Sequence, residues 1–357
     1  MVGYAHKRLG YAPMKIGDRL IDGQRGAFVI AEVAQAHDGS LGYAHAFINA
    51  AADAGADAIK FQTHIADAES TLDEQFRIPL SGQDANRWAY WRRMEFTCEQ
   101  WAGLAEHAAR RNLFFLSSPF SSAAVRLLAD IGVPAWKVGS GEVFNRPLID
   151  LMLDHSGPIL LSTGMSTWGD IANLVAHIQG RNGEVALFQC SSRYPVSLEK
   201  VGINVVGELR DRFAVPVGLS DHSGTPWPAL ASLSESIDLL EVHVTFDRRM
   251  YGPDTSSSLT FTELAMVTEA NRAFATMRAN PVDKDQDAAD LAQTRALFTK
   301  SLSLVRDLSA GTVLCAEMLT VKKPGGGLSL EQLDQVIGRS LCRDVPANRL
   351  LRLDDLT

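Results

Sequence analysis

The stretch VPVGLSDHSGTPWPALASLSESIDLLEVHVT, residues 215–245, decides the fold. One β-rich run, Val-Pro-Val-Gly-Leu-Ser-Asp-His, ends at His222; a second, Leu-Leu-Glu-Val-His-Val-Thr, carries His243. An apolar segment of helical length, roughly residues 226–237, lies between them. This is a β–α–β unit with a histidine near the carboxyl end of each parallel strand. Parallel sheets, open or closed, bind ligands at the carboxyl ends of their strands. Two imidazoles converging there would hold one divalent cation, with water and substrate at the remaining positions. The plainer account is a pair of core histidines bonded to backbone, and the surrounding residues decide between the two.

Outward from this unit the same alternation repeats. Strand-like runs occur near residues 28–33, 58–61, 113–117, 135–139, 159–163, 186–190, 217–220 and 239–244. Most are apolar along their whole length, as parallel strands buried on both faces are. Between them lie alanine-rich segments such as GYAHAFINAAADAGAD and CEQWAGLAEHAARRN, with apolar residues at i, i+3 and i+4. Those are amphipathic helices that pack outside the sheet. Eight strands in alternation with helices predict an α/β fold, a (β/α)8 TIM barrel, over residues 1–280. An open doubly wound sheet is the alternative, but no Gly-x-Gly-x-x-Gly follows the first strand. After Asn280 the stretch 281–296 is charged and poor in large apolar residues, as a linker or exposed helix would be. Residues 297–357 then read as a small α+β module of short alternating runs and turns.

Composition narrows the function class. The chain has 357 residues, 46% hydrophobic and 21% charged, which suits a soluble globular protein. A net charge of −8 argues against nucleic acid or an anionic membrane as partner. Cys98, Cys190, Cys315 and Cys342 form no CxxC, so the reduced cytosol is expected. No apolar run reaches the ~18 residues of a membrane span. The start, MVGYAHKRLGYAPMKIG, lacks the apolar core of a signal peptide, and a cytoplasmic location is the expectation.

Polar residues gather at the expected strand ends. Glu32 ends the first strand, Lys60 and Gln62 the second, and Ser117 and Ser118 the third. Lys137 and Ser140 follow the fourth, Ser162 and Thr163 the fifth, and Ser191, Ser192 and Tyr194 the sixth. Two lysines and several hydroxyls on one rim suit a phosphate or carboxylate. A lone strand-end lysine is usually a surface residue whose stem packs on apolar neighbours, but two beside serines are harder to dismiss. Glu32 follows Phe-Val-Ile-Ala, so the barrel partly buries it; such a carboxylate must be paired, protonated or near a metal.

In this order, IAEVAQAHDGS, DAIKFQTH, FLSSPFS, WKVGSGE, LLSTGMS, LSDHSGT, EVHVTFD and YGPD resemble the sialic acid synthase (N-acetylneuraminate synthase) family. The tail SLSLVRDLSAGTVLCAEMLTVKKPGGGLS resembles that family's antifreeze-like (SAF) domain. The resemblance runs from about residue 14 to the end. It implies an enzyme that condenses phosphoenolpyruvate with an amino-hexose such as N-acetylmannosamine, releasing phosphate and a nine-carbon keto acid. It also implies a domain-swapped homodimer and a divalent cation, Mn²⁺ first and Mg²⁺ or Co²⁺ as alternatives.

Matched position by position, the resemblance makes His222 and His243 metal ligands and places Glu32 beside the reacting carbons. Lys60, Ser118, Lys137, Ser140, Ser162 and Ser220 match positions that grip phosphoenolpyruvate, with Ser118 where threonine is common. Gln62, Glu142, Tyr194 and Asp254 match positions around the sugar. Lys323 stands where the family's tail sends an arginine into the partner's site. Further departures are Ala36-His37-Asp38-Gly39 in the first motif and Ser192 where asparagine is frequent. They cluster on the sugar side, so legionaminate, pseudaminate and other nonulosonate synthases stay open. A seven- or eight-carbon keto acid synthase, which lacks the tail, and a non-catalytic sugar binder are the more distant alternatives.

Overall fold

A computed structural model describes residues 11, 13–23, 25–77 and 82–357 of the chain. Its architecture starts with an antiparallel hairpin of β1 (Met14–Ile16) and β2 (Arg19–Ile21). Eight parallel strands follow: β3 (Phe28–Ala34), β4 (Ala58–Thr63), β5 (Phe114–Pro119), β6 (Trp136–Val138), β7 (Ile159–Ser162), β8 (Val185–Gln189), β9 (Val217–Asp221) and β10 (Leu239–Thr245). They are ordered β5-β4-β3-β10-β9-β8-β7-β6, and a two-residue β11 (Leu259–Thr260) pairs in parallel with the end of β10. The end strands β5 and β6 pack beside each other without a registered ladder, so the sheet is a nearly closed barrel. The expected strands are all present, and the expected (β/α)8 architecture is the one observed.

Helices occupy the connections: α1 (Leu41–Asp53), α2 (Ala66–Glu69), α3 (Arg87–Met94), α4 (Cys98–Arg110), α5 (Ser122–Ile131), α6 (Arg146–Leu153), α7 (Trp168–Gly180), α8 (Ile203–Phe213), α9 (Trp227–Ser234) and α10 (Phe261–Ala279). Local chemistry sets their ends. Capping boxes, Thr97 with Gln100 and Thr167 with Asp170, start α4 and α7 by satisfying orphan N–H groups at both positions. Gly132 stops α5 in the left-handed region at φ 82°, where a side chain would be strained.

The pleat then decides what the barrel holds. Residues alternate between the helix-facing layer and the interior. Val29 and Ala31 of β3, Ile59 and Phe61 of β4, and Leu240 and Val242 of β10 belong to the layer packed under the helices. Phe28, Ile30, Ala58, Leu116, Leu160, Phe188 and Leu239 form the lower interior layer. Two residues further along each strand the inward positions turn polar: Glu32, Lys60, Ser118, Ser162 and Glu241. Met14, Ile16 and Ile21 of the hairpin join the lower layer, an addition the strand pattern does not predict. The interior is therefore apolar at the amino end of the strands and polar at the carboxyl end.

The chain divides into two compact units between Ala279 and Asn280. The stretch expected as linker or exposed helix holds two short helices, α11 (Lys284–Asp290) and α12 (Ala292–Phe298), within the second unit. Beyond them β12 (Ser301–Leu304) pairs antiparallel with β13 (Leu319–Lys322), and a one-turn α13 (Leu333–Val336) follows. Isolated bridges join Ser303 to Leu350, Leu308 to Val345 and Leu341 to Leu356. Leu302, Leu304, Leu314, Leu341 and Val345 are among the buried residues of this unit's core. No helix among the described residues is long and apolar enough to cross a membrane.

Candidate active site

The polar layer lines a cavity of about 300 Å³ at the carboxyl ends of the strands. Glu32 on β3 faces Lys60 on β4, their charged atoms 2.7 Å apart. Lys60 also lies 3.7 Å from Glu241 of β10 and donates to Ser118 Oγ at 3.4 Å. Lys137 of β6 donates to Ser162 Oγ of β7 at 2.6 Å and lies 3.5 Å from Glu241. Ser220 of β9 donates to Glu241 Oε1 at 3.0 Å. Ser140 bonds the Cys190 thiol at 3.1 Å and accepts the Gly164 N–H at 3.2 Å. A Cβ at Gly164 would stand 2.2 Å from Ser192 Oγ and 2.6 Å from Cys190 Sγ, so any larger residue would force these side chains to turn away.

Past Ser220 and Glu241 on the same two strands, the His222 and His243 rings lie with centroids 5.1 Å apart. Tyr194 covers His222 at 4.2 Å, and the Arg77 guanidinium covers Tyr194 at 4.4 Å. Arg77 also pairs with Asp254 at 3.0 Å. Gln62 donates to Glu32 Oε1 at 3.0 Å. Gln62, Tyr194, Glu142, Arg77 and Asp254 together border a second, adjoining cavity of about 390 Å³. Glu142 accepts from Asn145 Nδ2 at 2.8 Å.

Burial sets the charges. It pushes the Glu32 carboxyl upward, and the Lys60 ammonium opposes this without overcoming it. Burial also pulls Lys60 down, yet Glu241 and Glu32 more than offset that and leave it raised. Lys137, with Glu241 as its carboxylate neighbour, ends up lowered by burial. Glu241 is held low because Lys137 and Lys60 outweigh its own burial. Burial depresses both histidines, so neutral imidazoles face the cavity.

Neutral imidazole is the form that ligates a metal. His222 Nδ1 is buried and finds no hydrogen-bond partner among the described residues, so no protein group competes with a ligand for it. Glu32 Oε2 and Glu241 Oε2, for all their ion pairing, likewise accept no aligned hydrogen bond. The residues fit one divalent cation on two imidazoles. Among the described residues no group of three or more His, Cys, Asp or Glu side chains forms a cage.

Of the residues expected at the site, Glu32, Lys60, Gln62, Ser118, Lys137, Ser140, Ser162, Tyr194, Ser220, His222 and His243 line one cavity. Glu142 and Asp254 border the adjoining one. Lys323 belongs to the second unit, its Nζ 5.3 Å from the Phe298 ring centroid. Its neighbour Lys322 is tied to the Leu304 and Ala347 carbonyls at 2.9 and 2.6 Å. Glu241 and Arg77 are functional candidates the motifs do not single out. An acid inside the apolar run Leu-Leu-Glu-Val-His is the same signal that marks Glu32, and it would have found Glu241.

The barrel and its rim define an enzyme of the (β/α)8 class with its polar groups at the strand carboxyl ends. The chain belongs to the NeuB family, whose model matches residues 47–282, and a SAF domain model matches residues 299–357. It is 28% identical to the N,N'-diacetyllegionaminic acid synthase of Campylobacter jejuni over 91% of this chain and 98% of that one. It is 29% identical to the human N-acetylneuraminate-9-phosphate synthase, covering 85% of each. The crystal structure of the N-acetylneuraminic acid synthetase of Leptospira borgpetersenii in complex with citrate superposes with a TM-score of 0.69. That match is 25% identical over 80% of this chain and 96% of that one. The chain is accordingly a transferase of the synthase type, in a family that makes nonulosonic acids.

Proposed function

We propose that this enzyme condenses phosphoenolpyruvate with N-acetylmannosamine, or a related amino-hexose, to give a nonulosonic acid and phosphate. The observation that carries the reading is one small cavity holding two buried lysines, a line of serines and an imidazole pair. Lys60 and Lys137, with Ser118, Ser140, Ser162 and Ser220, hold the phosphate and carboxylate of phosphoenolpyruvate. Gln62, Glu142, Tyr194 and Asp254 border the space for the open-chain sugar, whose aldehyde carbon then lies near C3 of phosphoenolpyruvate. Holding the two reactants in adjoining cavities that share Gln62 and Tyr194 is a proximity effect. The new C–C bond forms from C3 to the aldehyde carbon, water adds at C2, and phosphate leaves by C–O cleavage. Glu32 orients that water and takes its proton.

His222 and His243 would hold a divalent cation, Mn²⁺ first, which when bound acts as a Lewis acid on the aldehyde oxygen. A domain-swapped homodimer, with Lys323 of the SAF-matched segment reaching the partner's sugar, belongs to the same reading. Legionaminate- and pseudaminate-type acceptors fit the same chemistry. The test is release of phosphate from phosphoenolpyruvate with a panel of hexosamines, with and without added Mn²⁺. Acceptor-dependent release supports the reading, and none with any aldehyde sugar overturns it.

A further inference from the structure

A second polar chain runs along the wall of the adjoining cavity and ends at Glu32. His64, just after β4, is buried and lies flat between Trp91 and Phe120, with centroids 3.7 and 4.5 Å away and rings within 15° of parallel. Its Nδ1 is 2.6 Å from Glu69 Oε1, and the other Glu69 oxygen accepts the Ile65 N–H at 3.2 Å. Its Nε2 is 2.8 Å from the Gln35 amide nitrogen and 3.2 Å from Gln62 Oε1. The Gln35 nitrogen also donates to Gln62 Oε1, and Gln62 Nε2 donates to Glu32 Oε1 at 3.0 Å.

We propose that Glu69, His64 and Gln35 form a one-way hydrogen-bond relay that fixes the Gln62 amide with its nitrogen toward Glu32. All three are thus positioning residues for that carboxylate. With Glu69 ionised and the ring neutral, the proton bookkeeping allows a single direction. In it the 3.2 Å approach of Nε2 to Gln62 Oε1 is a contact of two acceptors bridged by the Gln35 amide nitrogen. Carboxylate Glu69 has no proton to give, so Nδ1 must carry one. Burial keeps the ring neutral, which leaves Nε2 a bare acceptor. Nε2 therefore takes one Gln35 N–H, and Gln62 Oε1, an acceptor too, takes the other. With its oxygen committed, Gln62 can present only N–H to Glu32. A flipped Gln62 amide would put two acceptor oxygens face to face beside Glu32, a costly arrangement in a buried site. The stack on Trp91 and Phe120 stops the imidazole from rotating out of this plane.

The inference rests on the proposed reaction, and its test separates the two. His64→Phe keeps the ring stack and volume but removes both nitrogens, and Glu69→Gln keeps a carbonyl acceptor for Nδ1–H while giving up the longer bond from the Ile65 N–H. In the Mn²⁺-supplied enzyme, His64→Phe should lower kcat about tenfold, as losing an orienting partner does, with KM for phosphoenolpyruvate within about twofold. Glu69→Gln should stay within about threefold of wild type, and His64→Phe should add little on top of Gln62→Ala. A His64→Phe enzyme of wild-type kcat, or effects that multiply in the double variant, would overturn the relay. Nitrogen-15 NMR of the full-length wild type decides it without turnover: the relay requires neutral His64 protonated on Nδ1, and the Nε2–H tautomer or an imidazolium rejects it. Wild type with no turnover on any acceptor would instead sink the proposed reaction.

Discussion

Glu32 and Lys60 are register partners across the β3–β4 ladder, and their side chains close a 2.7 Å ion pair with both groups almost wholly buried. Lys60 is thus the counter-ion of two buried carboxylates, Glu32 and Glu241, whereas Lys137 pairs with Glu241 among the described residues.

Lys60→Ala and Lys137→Ala should each weaken phosphoenolpyruvate roughly 10- to 100-fold, from a charge-assisted contact worth ~1.5–3 kcal/mol. The two should differ in stability. Lys60→Ala leaves Glu32 buried without its cation and should lower the melting temperature more. Steady-state kinetics with each substrate varied, plus calorimetry, checks both. Equal rises in KM for phosphoenolpyruvate and sugar would count against the anion cradle.

Replacing His222 and His243 together with alanine should abolish turnover and bound metal while leaving the barrel folded, since neither ring belongs to the apolar layers. Metal content by elemental analysis, activity, and circular dichroism are the measurements. Full activity of the double variant after chelation would remove the cation from the mechanism.

Legibility followed how local each feature is. Strands buried on both faces announce themselves as apolar runs, and the polar residues that interrupt them (Glu32, Lys60, Lys137, His222, His243) stand out against that background. The β1–β2 hairpin left no such trace: three-residue strands turning at Gly17, φ 58°, are too short to show alternation. Arg77, Gln35 and Glu69 come from connections without periodicity, and their meeting with Tyr194, Gln62 and His64 is a product of tertiary folding. Glu241 was readable but sat in the shadow of His243.

In the second unit, Asp355 is buried and takes two hydrogen bonds from Arg349, at 2.7 and 2.8 Å, and one from the Arg352 N–H at 2.9 Å. The Arg349 bonds hold its carboxyl below the usual range. A depressed carboxylate contributes stability above its unfolded pKa of about 4, and that contribution is lost as pH falls through the lower folded value. Protection of the β12–β13 amides in hydrogen exchange on the full chain should therefore fall below about pH 4. Asp355→Asn should cost ~1.5–3 kcal/mol at neutral pH and flatten this acid limb. An unchanged limb in the variant would mean another group carries it.

The adjoining cavity bears on which sugar enters. Its wall carries the carboxyl groups of Glu69, Glu74, Glu142 and Asp254 against the guanidinium groups of Arg77 and Arg87. Arg77 is hydrogen-bonded to Asp254 at 3.0 Å, Arg87 is ion-paired with Glu74 at 3.4 Å without an aligned hydrogen bond from its Nε, and burial keeps His64 from adding charge. A hydroxyl-bearing tail can donate to these oxygens, whereas a phosphate would bring like charge to a wall whose two named cations already face carboxylates. Placing like charges together costs several kcal/mol, so kcat/KM for N-acetylmannosamine should exceed that for its 6-phosphate by about 100-fold or more. Added salt should narrow the ratio, because partly exposed charges are screened. Glu142→Gln should narrow it too, by removing one repelling carboxylate. The human relative is named for a phosphate-bearing product, so a parallel assay of the two enzymes gives a direct contrast. Equal or better use of the phosphorylated sugar by this chain would show that Arg77 or Arg87 leaves its carboxylate to receive the phosphate, and the charge argument would fail.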